Sequence, residues 1–168
     1  KAQPYLSKTL DINSNHLPAR MMMANIHYRN ADYFLAETDI KKVLQFSPNN
    51  YDANILLGNV YASQKNFASA KTLFKNMTLA DPENPSAYFR LGVIERLQKN
   101  NTDAMKNFEK ALEINPKLMD VFTNIIALYS SEKRFDKAIE RCDIQIKMVG
   151  DTPIIHSILL NLKGNLLL

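Results

Sequence analysis

The sequence predicts an all-α protein, a solenoid of antiparallel helix pairs, and two observations carry that reading. First, NILLGNVYASQKNFASAKTLF, from Asn54 to Phe74, returns thirty-four residues later as YFRLGVIERLQKNNTDAMKNF, from Tyr88 to Phe108. Leu57-Gly58 becomes Leu91-Gly92, Ala70 becomes Ala104 and Phe74 becomes Phe108. A fixed period of about 20–50 residues is the mark of a repeat array, whose units bury their apolar faces by stacking. Second, each copy carries two sets of apolar residues at helical spacing. Ile55, Leu56, Val60 and Tyr61 form the first set, and Phe67, Ala70, Leu73, Phe74 and Met77 the second. No segment shows strand alternation.

Each element follows in order. Residues 1–16, KAQPYLSKTLDINSNH, align with the second helix of a preceding unit, with Ala2 in the place of Ala36 and Leu6 in that of Ile40. Four units follow, 17–50, 51–84, 85–118 and 119–152. Ser47-Pro48, Asp81-Pro82 and Asn115-Pro116 close the first three, because the residue before a proline avoids the α region. Ala36, Ala70, Ala104 and Ala138 recur as small residues, and Tyr33, Phe67, Asn101 and Phe135 open the second helices. Asp32, Asn66 and Asn100 occupy turn positions suited to capping those helices. Gly58 and Gly92 let paired backbones approach, and Tyr61, Phe74 and Phe108 are expected as large buried side chains beside them. The unit 119–152 departs from the pattern, with Ile126 for the small residue, Cys142 for the bulky one and Gly150 for the proline. It is expected to pack less regularly. Residues 153–168 align with the first helix of a following unit if Gly164 mirrors Gly58. That register requires four extra residues around Gly150-Asp151-Thr152-Pro153, as a longer turn or an extended helix.

Composition narrows the function. Of 168 residues, 46% are apolar and 23% charged, which places the chain among globular proteins. The formal net charge is +4, but no basic run exceeds Lys41-Lys42 and acids are interspersed, so a nucleic-acid partner is not expected. No apolar run reaches the length of a membrane span. The chain opens on Lys1, and both ends are read as cuts through a longer array. The exposed ends, including Leu166-Leu167-Leu168, are expected to favour end-to-end self-association. Location is left between cytoplasm and bacterial periplasm.

The pattern resembles the tetratricopeptide repeat family, whose unit is a helix–turn–helix of thirty-four residues. Leu57, Gly58, Tyr61, Ala70, Phe74 and Pro82 fall on the family's signature positions, as do Leu91, Gly92, Ala104, Phe108, Ala111 and Pro116. The family's tryptophan-like site is held by Arg20, Asn54, Tyr88 and Phe122. The resemblance implies a right-handed superhelix with a concave groove lined by first helices, and a non-catalytic role in binding a protein or peptide. ARMMMANIHYRNADYFLAE and LLNLKGNLLL also look like segments of long bacterial repeat lipoproteins of exopolysaccharide and protein-sorting systems. That second likeness implies a structural spacer.

In this frame the groove residues are Asn25, Tyr28 and Arg29, then Asp52, Ile55 and Asn59, then Phe89, Arg90, Val93 and Arg96, then Thr123 and Asn124. Met21, Ser63, Asp120 and Ser130 lie beside them, and Asn161 and Asn165 extend the line. Asparagine amides both donate to and accept from an extended backbone, and arginine grips a carboxylate through paired hydrogen bonds. The lysine of the family's carboxylate clamp is absent, its places holding Met21 and Ile55. Enzymatic chemistry finds no foothold: there is no phosphate loop, HExxH, GxGxxG or CxxC. His16, His27 and His156 have no ligand partner at helical spacing, and Cys142 reads as a buried inert thiol. No cofactor or metal is expected. The glycosylation sequons at Asn76 and Asn100 are expected to be unused, Asn76 lying inside a helix.

Overall fold

The computed structural model describes residues 2–150 and 152–167; Asp151 and Leu168, from the expected long turn and the terminal leucines, lie outside them. Among the described residues there are ten helices and no strand. They are α1 (Gln3–Ile12), α2 (Leu17–Arg29), α3 (Tyr33–Phe46), α4 (Tyr51–Ser63), α5 (Phe67–Ala80), α6 (Pro85–Leu97), α7 (Asn101–Ile114), α8 (Met119–Ser131), α9 (Phe135–Val149) and α10 (Pro153–Leu166). First helices begin at Leu17, Tyr51, Pro85, Met119 and Pro153, each thirty-four residues after the last. The chain forms two compact units, Lys1–Asn76 and Met77–Leu168.

The turn inside each helix pair has one construction. Ala31, Lys65, Lys99 and Lys133 have φ between 56° and 63°, in the left-handed region. The N–H of each donates to the carbonyl three residues back, and the next N–H reaches the carbonyl five residues back, as from Asn66 to Tyr61 at 2.8 Å. This Schellman geometry satisfies the carbonyls that the ending helix leaves open. The expected caps hold in part. Asn66 Oδ1 accepts from Ser69 N–H at 3.2 Å. Asp32 and Asn100 make no side-chain cap; Asn100 turns its Nδ2 onto the carboxylate of buried Glu95 at 2.9 Å.

The turn between pairs leaves a carbonyl at Ser14, Pro48 and Pro116, equivalent positions. Arg20 donates to Ser14 O through Nε at 3.2 Å and Nη2 at 2.5 Å. Asn54 Nδ2 donates to Pro48 O at 3.0 Å. Both sit on the tryptophan-like position, so their polarity there has a task. Phe122 holds that position in a later pair and has no donor, and Gln145 of α9 donates to Pro116 O instead. Gln145 is fully buried and is held by Arg141 Nη1, 2.8 Å from its Oε1.

In the unit Lys1–Asn76, Ala24, Ala36, Ile40, Val43, Ala53, Leu56, Leu57 and Val60 form the core. A Cβ built on Gly58 would stand 2.3 Å from the Phe74 ring. Hydrogen is therefore the side chain that fits, as the sequence implied. Arg20 Nη1 and His27 Nδ1 both meet the Asp39 carboxylate, at 2.8 and 3.1 Å, so this buried cluster is internally paired. Tyr61 is half-buried, not fully buried as expected.

In the unit Met77–Leu168, one cluster joins Ala104, Phe108, Leu112, Phe122, Ile125, Ile126, Ala138, Cys142 and Leu159. Gly92 repeats the close approach, with Phe108 2.6 Å from a built Cβ. The pair α8–α9 departs from the pattern at the two expected positions, and Ile126 and Cys142 are both buried. Bulk has moved from the second helix to the first. The expected register of α10 is also corrected. Pro153 begins it without a four-residue insertion, and buried Leu159 takes the place of Ile125, thirty-four residues earlier. Gly164 faces open space and does not mirror Gly58. The adjustment is small: α9 has 15 residues where α7 has 14. Gly150 then turns the chain at φ 57°, ψ −147°, a backbone region that side chains exclude.

Candidate functional site

In the first unit, α2 and α4 place side chains around a recess of about 420 Å³. Met21, Asn25, Asp52, Ile55 and Asn59, all expected on the groove face, line it together with Met22, Asn50 and Leu56, which were not among the expected groove residues. Asn50 lies in the turn between pairs. Its Oδ1 accepts from Ala53 N–H at 2.9 Å, which starts α4 and carries Asp52 to the rim. Asn25 Nδ2 donates to Met21 O at 2.8 Å, leaving its Oδ1 as an acceptor. The Asn59 amide is half-buried and has no partner among the described residues. The recess thus combines thioether and aliphatic surface, three amides and one carboxylate.

Tyr28 and Arg29 do not join it. Tyr28 shares a hydrogen bond of 3.3 Å with Ser63 Oγ and packs its ring 5.9 Å from Tyr33, which ties it into the pair. Arg29 is exposed beside Ala2, Gln3, Ile26 and Asn30, in a separate depression next to α1.

In the second unit, α6 carries Phe89, Arg90, Val93 and Arg96. Phe89 is half-buried, its ring 6.0 Å from Phe108 and tilted 47°. Val93 also packs against the core, so both serve the fold and present only part of their surface. The Arg90 guanidinium carbon lies 5.7 Å from the Phe89 ring centroid, a cation–π distance. Arg96 is exposed. On α8, Thr123 Oγ1 and Asn124 Nδ2 both donate to Asp120 O, at 3.0 and 2.7 Å, which ties both side chains to their own helix.

Of the residues weighed for catalysis, His16 and His27 have structural tasks. His16 Nδ1 accepts from Ala19 N–H at 3.1 Å and starts α2. His27 pairs with Asp39. Burial pushes the Cys142 thiol above its ordinary range, with Asp143 adding to the effect, which opposes the thiolate a nucleophile requires. Among the described residues, no three His, Cys, Asp or Glu side chains are grouped to hold a metal. No described helix is long and apolar enough to cross a membrane.

Solved structures share this fold. MamA from Desulfovibrio magneticus RS-1 superposes with a TM-score of 0.72 at 20% identity, over 90% of this chain and 86% of that one. A tetratricopeptide repeat protein of Thermus thermophilus, TTC0263, gives 0.68 at 14%, over 93% and 86%. YrrB, described as a tetratricopeptide repeat protein with an unusual peptide-binding site, gives 0.63 at 18%, over 95% and 84%. No curated protein matches the sequence. The helix pairs and the step of thirty-four residues make this a tetratricopeptide-type array, as the signature residues implied. A family model described as the TT21 fifth ARM repeats domain matches residues 18–141, and the chain belongs to that family of helical repeats.

Proposed function

We propose that the chain is a non-catalytic protein-interaction module that holds an extended peptide or partner segment against its first helices. One observation carries this reading. Between α2 and α4 the half-buried Asn59 amide stands without a partner in a recess that also offers Met21, Ile55 and the Asn25 carbonyl oxygen. An amide in that setting has donor and acceptor capacity for a peptide group, and the apolar lining has room for a side chain. A peptide site described on the same fold in YrrB supports the reading. The test is retention of a partner by immobilised protein. Asn59→Ala and Ile55→Ala lower retention at least tenfold while the melting temperature stays near the parent's. Lys75→Ala, on a second helix, leaves retention unchanged. Retention insensitive to Asn59 and Ile55 sinks the proposal.

A second reading, a structural spacer or assembly segment of a longer array in an envelope export or polysaccharide system, rests on a different observation. Helix α1 buries no residue, and α10 buries Leu159 while leaving Ile154, Ile158 and Leu160 exposed. Such faces suit further helices. Sedimentation that depends on protein concentration, and loses that dependence in Ile154→Asp/Ile158→Asp, favours this reading.

A further inference from the structure

The second helices of the two units differ in charge. At one position of the thirty-four-residue step, Lys41 and Lys75 in the first unit become Glu109 and Asp143 in the second. Nine basic residues stand against five acidic ones in Lys1–Asn76, and twelve against twelve in Met77–Leu168. The whole net charge of +4 therefore belongs to the first unit. Helix α3 of that unit joins the charge to exposed apolar surface. Its Ala36, Ile40 and Val43 are buried in the core. On its solvent side Phe34, Leu35 and Phe46 are 78%, 47% and 54% exposed, and Lys41 and Lys42 are exposed between them. The repeat does not require the Phe34-Leu35 pair. Its equivalents are Ala68-Ser69, Thr102-Asp103 and Asp136-Lys137, and α5, α7 and α9 form with them. Of the two acids of α3, Asp39 is buried against Arg20, and Glu37 is bonded to Lys41 at 2.7 Å. Helix α5 adds Lys71 and Lys75 to the unit and has no acid.

We infer that the solvent side of α3 is a docking surface for an anionic phospholipid bilayer. Large exposed apolar side chains gain by leaving water, and together they mark a contact surface. Lysines beside them place ammonium groups among lipid phosphates while their stems lie along the apolar layer. Their charge selects an anionic leaflet. The lysines also favour lipid over a protein partner. Lysine is depleted at protein–protein contacts, where ordering its stem is costly, whereas among headgroups it keeps both hydration and attraction. Phe34 and Phe46 lie about 18 Å apart along the helix, at roughly 1.5 Å per residue, so the contact runs the length of α3. The chain lies on the bilayer in this mode, and no described helix is long and apolar enough to cross one. No residue of α3 lines the recess between α2 and α4, so this surface is separate from the proposed peptide site and does not rest on it.

The probe is a suspension of unilamellar vesicles, of phosphatidylcholine alone or with about one-third phosphatidylserine. Co-sedimentation of the whole chain is expected to give binding at least tenfold stronger to the anionic vesicles. Salt at about 0.5 M removes most of that difference by screening. Phe34→Ser/Leu35→Ser lowers binding to the anionic vesicles at least tenfold, with a melting temperature near the parent's because both side chains are exposed. Lys41→Gln/Lys42→Gln brings the two vesicle types within threefold of each other. Lys106→Gln/Lys110→Gln, on α7 of the second unit, leaves the preference within twofold. The chain has no tryptophan, so Phe34→Trp reports on its own site. Its emission moves to the blue on anionic vesicles and is quenched by brominated acyl chains. Thr102→Trp, at the equivalent position of α7, shows neither change. Equal binding to the two vesicle types overturns the proposal, as does binding unchanged in Phe34→Ser/Leu35→Ser or a preference unchanged in Lys41→Gln/Lys42→Gln. Phe34→Trp emission that stays unshifted and unquenched on bound vesicles also overturns it. Absence of vesicle binding, with capture of a protein that is lost in Phe34→Ser/Leu35→Ser, overturns it by making the face a protein interface.

Discussion

Two helix pairs, one in each unit, close the same kind of gap in opposite ways. In the first unit, α4 offers Gly58 and α5 drives Phe74 against it, so closely that a Cβ would stand 2.3 Å from the ring. In the second, α8 offers Ile126 and α9 answers with Cys142, and both are buried in one cluster. Ala24 with Ile40 lies between these extremes, and both are fully buried. What recurs along the chain is the combined volume at the two positions, not the residue at either. Close-packed interiors respond to volume, and compensated exchanges are tolerated where single ones are not.

The comparison breaks first at Phe74. Phe74→Ala empties the larger partner of the pair and is expected to cost about 3–5 kcal/mol by denaturant titration. Cys142→Ala, at the equivalent position, removes one sulfur and is expected to cost about 1 kcal/mol, nearer the loss from deleting a single buried group. Similar losses at the two sites would contradict the volume argument. Ile126→Gly is expected next, at about 3–4 kcal/mol from the cavity and the added backbone freedom. Adding Cys142→Phe to Ile126→Gly recreates the Gly58–Phe74 arrangement and is expected to recover about 1–2 kcal/mol as coupling between neighbours. An additive double variant would show that the second unit does not accept the first unit's solution.

Tyr61→Ala sharpens the contrast between signature position and burial. The signature marks Tyr61 as strongly as Phe74, yet Tyr61 is half-buried and Phe74 is 1% exposed. Its truncation is expected to cost about 1–2 kcal/mol, below the range for a fully buried aromatic.

The fold is legible in the sequence because repetition multiplies weak local signals. One glycine or one Asx-Pro pair says little, whereas Gly58 and Gly92 at one interval and prolines 48, 82 and 116 at another fix helix, turn and register. The register of α10 is not legible in the same way. Matching a single glycine, Gly164, to Gly58 gives the wrong phase, because the apolar sequence around it allows either. Leu159 decides it by being buried. The recess between α2 and α4 is half legible. Asn25, Ile55 and Asn59 follow from helix phase, but Tyr28 and Arg29 share that phase and are diverted by tertiary contacts with Ser63, Tyr33 and α1. The clusters Arg20–Asp39–His27 and Arg141–Glu109–Gln145 are not legible at all. Their bonded partners lie up to 32 residues apart, and a charged residue in a helical pattern looks solvated until its partner is placed.

The smallest expected effect concerns the turns, where the two units use one device. Lys65 in the first unit and Lys133 in the second stand at φ 61° and 56°, a conformation disfavoured for residues with a Cβ. Relief of that strain by glycine is worth about 1–2 kcal/mol. Against it stands the greater freedom glycine gives the unfolded chain, about 0.5–1 kcal/mol. The difference favours the variants, so Lys65→Gly and Lys133→Gly are each expected to stabilise by about 0.5–1 kcal/mol. The N–H groups of the turn keep their carbonyl partners in either case, since the bonds are made by backbone alone. Equal gains at the two sites, read as equal shifts in denaturation midpoint with unchanged slope, would place the turn energetics in the backbone motif. A gain at Lys65 with a loss at Lys133 would mean that the side chain of Lys133 stabilises the folded state in a way that the turn geometry alone does not reveal.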